Sequence, residues 1–182
     1  MAAKSNLKNM LLCLTGVCLI CSAILGVVYV ITEEPIAQAS INATNASIAK
    51  VLPDGGELSE VKTFEEHQYY TLTRDGQVVA YAVKSSSNGF GGPVSLMVGV
   101  LPDGTVYNTS VLSHSETPGL GAKCTSDEHF MGQFRNLTSD KVLKVKKDGG
   151  DIDAITGSTI TSRAYVNAVS EAIRIVKSLE KR

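Results

Sequence analysis

The feature that most constrains this chain is an apolar run near its N-terminus. No charged residue occurs from Asn9 to Thr32, and Met10–Val30 consists mainly of Leu, Ile, Val, Cys and Ala. A bilayer core of ~30 Å requires about 20 helical residues, so the run is long enough to span a membrane as one helix. A cleaved signal peptide is the alternative, but its apolar region is usually shorter, and no small-x-small cleavage site lies next to the end of this run. The sequence therefore predicts an uncleaved anchor.

The charges that flank the run predict its orientation. Lys4 and Lys8 precede it, whereas Glu33 and Glu34 follow it. Because positively charged flanks stay in the cytoplasm, we expect a cytoplasmic N-terminus and an external C-terminal part. Three of the four cysteines lie inside the run, which leaves Cys124 alone outside it. A lone thiol forms no intrachain disulfide, and iron–sulfur clusters usually take four thiolates, so neither is expected.

The rest of the chain is expected to form a linker and one domain. We predict an anchor over residues 1–34, a stalk helix or linker over 35–56 and a single domain over 57–182. Pro35 suits the first turn of a helix, and the predicted stalk ends near the turn-forming sequence Pro53-Asp54-Gly55-Gly56. A domain of roughly 130 residues is an ordinary size for one hydrophobic core. The formal net charge of −1 lacks the basic excess that is typical of nucleic-acid binding.

Two Asp-Gly pairs predict β-hairpins. Asp75-Gly76 and Asp103-Gly104 each lie between two runs that favour strands. Asp-Gly favours the tight turn that joins two antiparallel strands. The glycine-rich segment Asn88–Pro93 is expected to separate the hairpins as a flexible loop. The predicted hairpins pair Tyr69–Thr73 with Gln77–Lys84 and Pro93–Leu101 with Thr105–Leu112.

The C-terminal third is expected to contain two helices. A Thr-x-x-Glu pattern at Thr125 resembles a capping box, which predicts a short helix over Ser126–Phe134. Apolar residues recur every three or four positions in the last segment, which predicts a helix from Thr161 to about Leu179. Short strands are expected at Val142–Val145 and at Ile152–Ile155. Together these elements indicate an α+β fold, a twisted antiparallel sheet with helices packed on one face.

A hydroxyl-rich turn precedes the final helix. Gly157 is flanked by Thr156, Ser158, Thr159 and Thr161. The start of a helix leaves backbone N–H groups without partners and carries partial positive charge, so it suits a phosphate. Ser and Thr are also common as ordinary N-caps. The pattern alone therefore leaves an anion site and a simple cap open.

A second loop follows the last strand of the second predicted hairpin. The segment Ser113-His114-Ser115-Glu116-Thr117-Pro118-Gly119-Leu120-Gly121 contains a proline and two glycines, which impose a turn and expose backbone N–H groups. A His two residues from a Glu in a loop is more often an ordinary surface pair than a catalytic one. The sequence contains no nucleophile-elbow serine, HExxH or phosphate-loop lysine motif, so hydrolytic chemistry is not indicated.

Three motifs together resemble one flavoprotein family. Asp153-x-x-Thr156-Gly157-Ser158-Thr159 is similar to the D-x-x-[ST]-G-A-[ST] flavinylation motif, with Ser158 where Ala is usual. The string Glu116–Gly121 and the segment Gly89-Phe90-Gly91-Gly92-Pro93 are similar to further signatures of that family, in the same order. The family comprises the G subunit of the Rnf electron-transport complex and the C subunit of the sodium-pumping NADH:quinone reductase.

The resemblance implies a covalently bound flavin. In this family the last Thr or Ser of the motif carries FMN through a phosphoester bond, which a separate flavin transferase installs, and that residue is Thr159 here. The resemblance also implies that Glu116–Gly121 lines the flavin, with Thr117 and Leu120 near the isoalloxazine ring. Asp153 is expected to serve in recognition by the transferase, and neither catalytic nor metal-binding residues are expected. The expected flavin-binding residues are Glu116, Thr117, Gly119, Leu120, Gly121, Thr156, Gly157, Ser158, Thr159, Thr161 and Ser162.

The resemblance further implies an electron carrier with no complete active site of its own. The short chain favours the Rnf subunit over the reductase subunit, which generally has a larger segment between its anchor and its flavin domain. Rnf complexes couple electron flow between ferredoxin and NAD to ion movement, so the expected partners are Rnf-type membrane subunits A, B, C, D and E. The expected location is the bacterial inner membrane, with one span and a periplasmic flavin domain. A tethered module that binds a phosphate ligand non-covalently, and a purely structural subunit, remain as alternatives.

Overall fold

The computed structural model describes residues 7–138 and 141–181. The chain divides between Asn42 and Ala43 into two compact units, and the first helix, α1 (Leu7–Val51), extends across this division. The helix that was predicted after the anchor is present and is continuous with the anchor helix, with Pro35 inside it. Lys4, which helped to predict the orientation, lies outside the described residues. The predicted domain limits at residues 34 and 56 stay predictions.

The N-terminal part of α1 is apolar on all sides. Large side chains such as Leu12 and Val30 are exposed rather than packed against other parts of the chain. A helix that is apolar all round is either buried in protein or surrounded by lipid. Among the described residues, α1 is the one helix that is long and apolar enough to cross a bilayer. These properties support a membrane anchor.

The unit that begins at Ala43 is built on an antiparallel sheet. Its strands are β1 (Glu57–Leu58), β2 (Lys62–Phe64), β3 (His67–Arg74), β4 (Gln77–Asn88), β5 (Pro93–Val100) and β6 (Val106–Ser113). The order across the sheet is β1-β3-β4-β5-β6, and β2 also pairs with β3.

Both predicted Asp-Gly hairpins are confirmed. Asp75 and Gly76 join β3 to β4 and have positive φ angles of 51° and 78°. Positive φ at both central positions is the signature of a type I′ turn, whose twist matches that of paired strands. The second hairpin joins β5 to β6 around Gly104, where φ is 89°.

The segment Asn88–Pro93 is a third tight turn, so its prediction as a flexible loop is wrong. Asn88 pairs with Pro93 at the ends of β4 and β5, and Gly89 N–H donates to the Gly92 carbonyl (2.8 Å). Strands β3 to β6 therefore form one continuous meander. The composition of the segment is typical of loops, but it does not distinguish a mobile loop from a glycine-rich hairpin turn.

The predicted short helix is present but begins later than expected. Helix α2 covers Glu128–Gly132, and its N-cap is Asp127, whose Oδ1 accepts a hydrogen bond from Phe130 N–H (3.1 Å). The predicted capping box is wrong, because Thr125 ends a preceding 3-10 helix and donates its hydroxyl proton to the Ala122 carbonyl (2.8 Å). The long final helix, α3 (Thr159–Leu179), is confirmed and begins two residues before the predicted start.

The predicted strands Val142–Val145 and Ile152–Ile155 are wrong. Val145 and Ile152 form a single isolated parallel bridge, and the chain between them turns through the 3-10 helix Lys146–Asp148. Gly149 closes this turn with a φ of 78°. Val145, Ile152 and Ile155 are buried in the core that α3 shares with the sheet, which explains their apolar character without a strand, whereas Val142 is exposed.

The core lies on both faces of the sheet. On one face, α3 packs against inward-facing residues of β4 and β5 such as Val83 and Leu96. On the opposite face, the end of α1 and the residue after it cover Ala82 and Met97. The α+β fold with an antiparallel sheet and packed helices is therefore confirmed, but the helices are not confined to one face. The residues that cover the second face are Ile48, Val51 and Leu52.

Candidate functional site

Three segments that are distant in the sequence meet at the N-terminus of α3. They are the β4–β5 turn, the loop after β6 and the loop before α3, and they surround an open cavity of about 320 Å³. This volume lies within the range of roughly 300–1,000 Å³ that is usual for small-molecule sites. The lining residues are Phe90, Glu116, Thr117, Leu120, Gly121, Gly157, Ser158, Thr159, Ile160 and Thr161.

The side chain of Glu116 connects the three segments. It is only 6% exposed. Its Oε2 accepts a hydrogen bond from the hydroxyl of Thr161 (2.7 Å), and its Oε1 accepts one from Gly91 N–H (3.2 Å). A buried carboxyl group requires such partners, because its desolvation would otherwise cost about several kcal/mol. One residue of the post-β6 loop thus holds both the β4–β5 turn and the start of α3.

Glycines make room for this arrangement. A Cβ atom on Gly89 or on Gly121 would collide with the carboxylate of Glu116, and a Cβ on Gly91 would collide with the carbonyl of Ser115. Only glycine allows the backbone to come so close. The packing of Glu116 and its loop therefore explains Gly89, Gly91 and Gly121, whereas Gly119 has a φ of 77° with no atom close to its Cβ position.

The start of α3 is fixed by the hydroxyl of Ser162. Its Oγ donates to the Ser158 carbonyl (3.0 Å) and accepts from Ile155 N–H (2.9 Å). Gly157, between these two residues, has a φ of 77°, a conformation that favours glycine. Ser162 is fully buried and lies outside the cavity lining. Its hydroxyl is committed to the loop that leads into the helix.

Thr159 is the first residue of α3 and is half-buried in the cavity lining. The first N–H groups of a helix have no partners within it, and the helix dipole places partial positive charge there. Among the described lining residues there is no Lys or Arg, and Glu116 is the one acidic side chain. The lining therefore offers an anion the backbone N–H groups at the start of α3 rather than a cationic side chain.

The cavity also has an apolar side. Phe90, Leu120 and Ile160 line it and are 72%, 48% and 47% exposed, respectively. Large apolar side chains at this exposure commonly mark ligand or partner sites. Phe90 and Ile160 were absent from the predicted flavin-binding set. Phe90 could have been predicted, because it belongs to the Gly89–Pro93 motif. Ile160 lies outside the motifs and before the predicted helix, so no sequence pattern marked it as a site residue.

Three residues of the predicted flavin-binding set, and one residue predicted for transferase recognition, lie outside the lining. They are Thr156, Gly119, Ser162 and the recognition residue Asp153. Thr156 and Gly119 are exposed. The carboxylate of Asp153 pairs with Lys146 (2.8 Å between Oδ2 and Nζ) at the surface.

Two further titratable side chains, His114 and Cys124, interact with Glu116. Glu116 is linked to His114 through its backbone, since Glu116 N–H donates to His114 Nδ1 (3.2 Å). Burial raises the pKa of the Cys124 thiol to about 11, and the negative charge of Glu116 adds to this effect. Over residues 7–138 and 141–181, no group of three or more His, Cys, Asp or Glu side chains is placed to hold a metal ion.

Comparisons with known proteins agree on one family. The FMN-binding domain model matches residues 89–174, which include every residue of the cavity lining. The G subunit of the proton-translocating ferredoxin:NAD(+) oxidoreductase complex from Clostridium ljungdahlii is 37% identical, with the match covering 90% of this chain and 88% of that protein. The G subunit of the ion-translocating oxidoreductase complex from Shewanella piezotolerans is 36% identical over 93% of this chain and 88% of its own length.

A further relative and a solved structure each match part of the chain. The Escherichia coli G subunit of the ion-translocating oxidoreductase complex is 44% identical over 59% of this chain and 55% of that protein. Among solved structures, Shewanella oneidensis NqrC has a TM-score of 0.48 and 21% identity, and the match covers 63% of this chain and 60% of that one. The matches to the Clostridium ljungdahlii and Shewanella piezotolerans subunits extend over nearly the whole chain. The FMN-binding domain contains the candidate site. The chain therefore belongs to the family of Rnf-type G subunits of ion-translocating oxidoreductase complexes.

Proposed function

We propose that this protein is a membrane-anchored electron carrier whose FMN is joined to Thr159 by a phosphoester bond. The single observation that carries the proposal is the position of the Thr159 hydroxyl. It lies at the first residue of a 21-residue helix, in the lining of a cavity that has an apolar side. The helix start offers a phosphate free backbone N–H donors and partial positive charge, and the apolar side offers a flavin ring van der Waals contact.

The residues of the cavity fit the two ends of FMN. The first amides of α3, after the Gly157 turn, would hold the remaining negative charge of a phosphodiester. Phe90, Leu120 and Ile160 offer apolar contact for the isoalloxazine ring. Flavin supplies one- and two-electron redox chemistry when bound, and the protein tunes it through burial and hydrogen bonding. Electron transfer requires no general base from the chain.

Attachment would be a group transfer catalysed by a separate flavin transferase. The donor would be an FMN unit activated through a pyrophosphate bond. That P–O bond breaks, a bond between Thr159 Oγ1 and phosphorus forms, and the leaving group departs as a phosphate ester. The hydroxyl proton passes to a base of the transferase or to solvent, and no oxidation state changes. Thr159 is reachable because it is only half-buried and its neighbours Gly157 and Ile160 are exposed.

The location of the domain gives a reason for a covalent bond. We propose that the N-terminus is cytoplasmic and that the domain faces the periplasm, as the charges around the span predict. Free FMN would be diluted away there, and a covalent link removes the dependence of occupancy on ligand concentration. The relatives are named as subunits of ion-translocating complexes, which supports assembly of this chain with other Rnf-type membrane subunits.

Two substitutions at one position test the proposed attachment. The protein would be co-expressed with a flavin transferase and separated by denaturing electrophoresis. We expect fluorescence in the wild-type band, its loss in Thr159→Val, which keeps the shape but removes the hydroxyl, and its retention in Thr159→Ser. A reversible ligand would be lost from every band, and a purely structural subunit would never fluoresce. Fluorescence that persists in Thr159→Val would contradict the assignment of the attachment residue.

A further inference from the structure

The side chain of Gln133 binds the main chain of Asp153 at two points. Asp153 N–H donates to Gln133 Oε1 (2.7 Å), and Gln133 Nε2 donates to the Asp153 carbonyl (3.1 Å). A carboxamide is the side-chain group that presents one acceptor and a donor side by side in this way. It therefore pairs with Asp153 as a neighbouring β-strand would.

Helix α2 fixes the position of Gln133. Phe130 and Phe134 lie on either side of Gln133 in the sequence and are 1% and 0% exposed. Both rings pack on Tyr165 of α3, with centroid distances of 5.1 Å and 4.8 Å. Aromatic pairs in such tilted and edge-to-face arrangements stabilise a core beyond the area that they bury. Gln133 thus extends from a rigid part of the core toward the loop before α3.

The segment from Asp153 to Ser158 is therefore held at both ends. Gln133 holds its first residue, and the buried hydroxyl of Ser162 holds Ile155 and Ser158. The main chain of Asp153 is bonded to Gln133, but its carboxylate stays accessible: the side chains of Asp153 and its partner Lys146 are 45% and 60% exposed. The structure holds the backbone of Asp153 while leaving its charged group at the surface.

We propose that Gln133 is a positioning residue for flavin attachment. By fixing the main chain of Asp153, it presents the Asp153 carboxylate and the Thr159 hydroxyl in one defined arrangement to the flavin transferase. This inference rests on the proposed modification of Thr159. Gln133 lies 20 residues before Asp153, outside the flavinylation motif and outside the cavity lining.

The inference predicts a specific kinetic effect. Without the carboxamide, the Asp153 segment would populate several arrangements, of which the transferase binds one. The apparent affinity for a protein falls by the fraction that is competent to bind, whereas the bound complex is unchanged. The KM for the acceptor protein should therefore rise by about tenfold, the factor expected for loss of two ordinary hydrogen bonds, while kcat stays within about twofold.

The test compares Gln133→Leu with a matched control. Ser85→Ala also removes a buried side-chain hydrogen bond that holds an element of the core, since Ser85 Oγ donates to the Ala168 carbonyl of α3 (2.8 Å), but it does not touch the loop. Full-length proteins in detergent would be incubated with purified transferase and a pyrophosphate-activated FMN donor. Initial rates of covalent incorporation would be measured at several acceptor concentrations, together with thermal unfolding of each variant.

The expected result is a raised KM with unchanged kcat in Gln133→Leu and wild-type constants in Ser85→Ala at comparable thermal stability. A wild-type KM in Gln133→Leu would overturn the inference, as would an equal rise of KM in both variants. If Gln133→Leu does not fold, Gln133→Asn, whose carboxamide is one methylene shorter, is tested against the same outcomes. A wild-type protein that incorporates no flavin would overturn the proposed function itself, whereas normal loading of the Gln133 variants would overturn only this inference.

Discussion

The hydrogen bond between Thr161 and Glu116 joins the first turn of α3 to the loop after β6, across 45 residues of sequence. Thr161→Val keeps the shape of the side chain but leaves Glu116 Oε2 without its donor in a buried place. A buried acceptor that loses its partner costs about 1–3 kcal/mol, so we expect the free energy of unfolding to fall by that amount. Urea unfolding of the apoprotein, followed by circular dichroism, would measure it.

Thr156→Val is the control for this substitution. Thr156 lies in the loop just before α3, where it is exposed and outside the cavity lining. The free energy of unfolding of Thr156→Val should therefore differ from the wild-type value by less than about 0.5 kcal/mol. Equal stabilities of Thr161→Val and the wild type would show that the carboxyl group of Glu116 does not depend on this bond.

Most of the site residues that were predicted lie in a motif, whereas Thr161 was predicted from the hydroxyl-rich turn before the final helix. Glu116, Leu120 and Thr159 were predicted from motifs, and the structure places all three in one cavity lining. The bond between Glu116 and Thr161 was not predictable, because nothing in either segment identifies the other as its partner. The same holds for Gln133, whose side chain bonds to a residue of a different loop.

Among the elements, β5 and the end of α1 approach each other at Gly99. A Cβ at this position would collide with the carbonyl oxygen of Val51, which is backbone and cannot rotate away. Gly99→Ala should therefore force the end of α1 off the sheet and lower the free energy of unfolding by about 1–3 kcal/mol. Thermal unfolding would measure the loss.

Gly132→Ala is the matched control for Gly99→Ala. Apart from its chain neighbours and the backbone of its own helix, no heavy atom lies within 4 Å of the position that its Cβ would take. Because Ala favours helix more than Gly does, this variant should be neutral or stabilised by up to about 1 kcal/mol. A Gly99→Ala protein as stable as Gly132→Ala would contradict the close packing of α1 on β5.

A surface ion pair joins the 3-10 helix Lys146–Asp148 to α3. Arg163 Nε and Nη2 donate to the two carboxylate oxygens of Asp148, each at 2.7 Å. This hydrogen bonding holds the pKa of Asp148 below its ordinary value of 3.8. The folded state therefore binds fewer protons than the unfolded state at this site, so the stability from the pair is complete above pH 3.8 and is lost as the pH falls through the lowered pKa.

Asp148→Asn should accordingly make the stability of the domain less sensitive to acid. Midpoints of thermal unfolding measured from neutral pH to about pH 2 would show a shallower decline for this variant below the ordinary pKa of the carboxyl group. Arg163→Gln removes the other partner and should give the same change. Parallel curves for the wild type and both variants would show that the pair does not contribute.

Elements with strong local signals were predictable, and those without them were not. The hairpins at Asp75 and Gly104 follow from Asp-Gly turns, and α3 follows from its apolar period. The region around Val145 and Ile152 was mistaken for strands, because buried apolar residues look alike in a strand and in a packed turn. The packing of the end of α1 on the sheet was missed because the linker sequence does not show which surface it covers.

At the scale of the whole molecule, the sequence predicts two parts, an apolar helix that can span a membrane and a domain with its own hydrophobic core. The anchor was predictable because an uncharged apolar helix of this length is stable only inside a protein core or in a lipid bilayer. The position of the site in the fold was harder to predict, because its three segments lie far apart between Phe90 and Thr161 and meet only in the folded domain. The motifs contain most of the lining residues, although not Ile160 or Thr161, and the folded domain brings the three segments together.

The mass of the intact mature protein tests the central claim most directly. The wild-type chain would be purified from cells that contain a flavin transferase and analysed by mass spectrometry under denaturing conditions. We predict the mass of the polypeptide plus one FMN minus one water, with the added mass on the peptide that contains Thr159. A mass equal to that of the unmodified polypeptide, from cells in which the transferase modifies another acceptor protein, would contradict the claim.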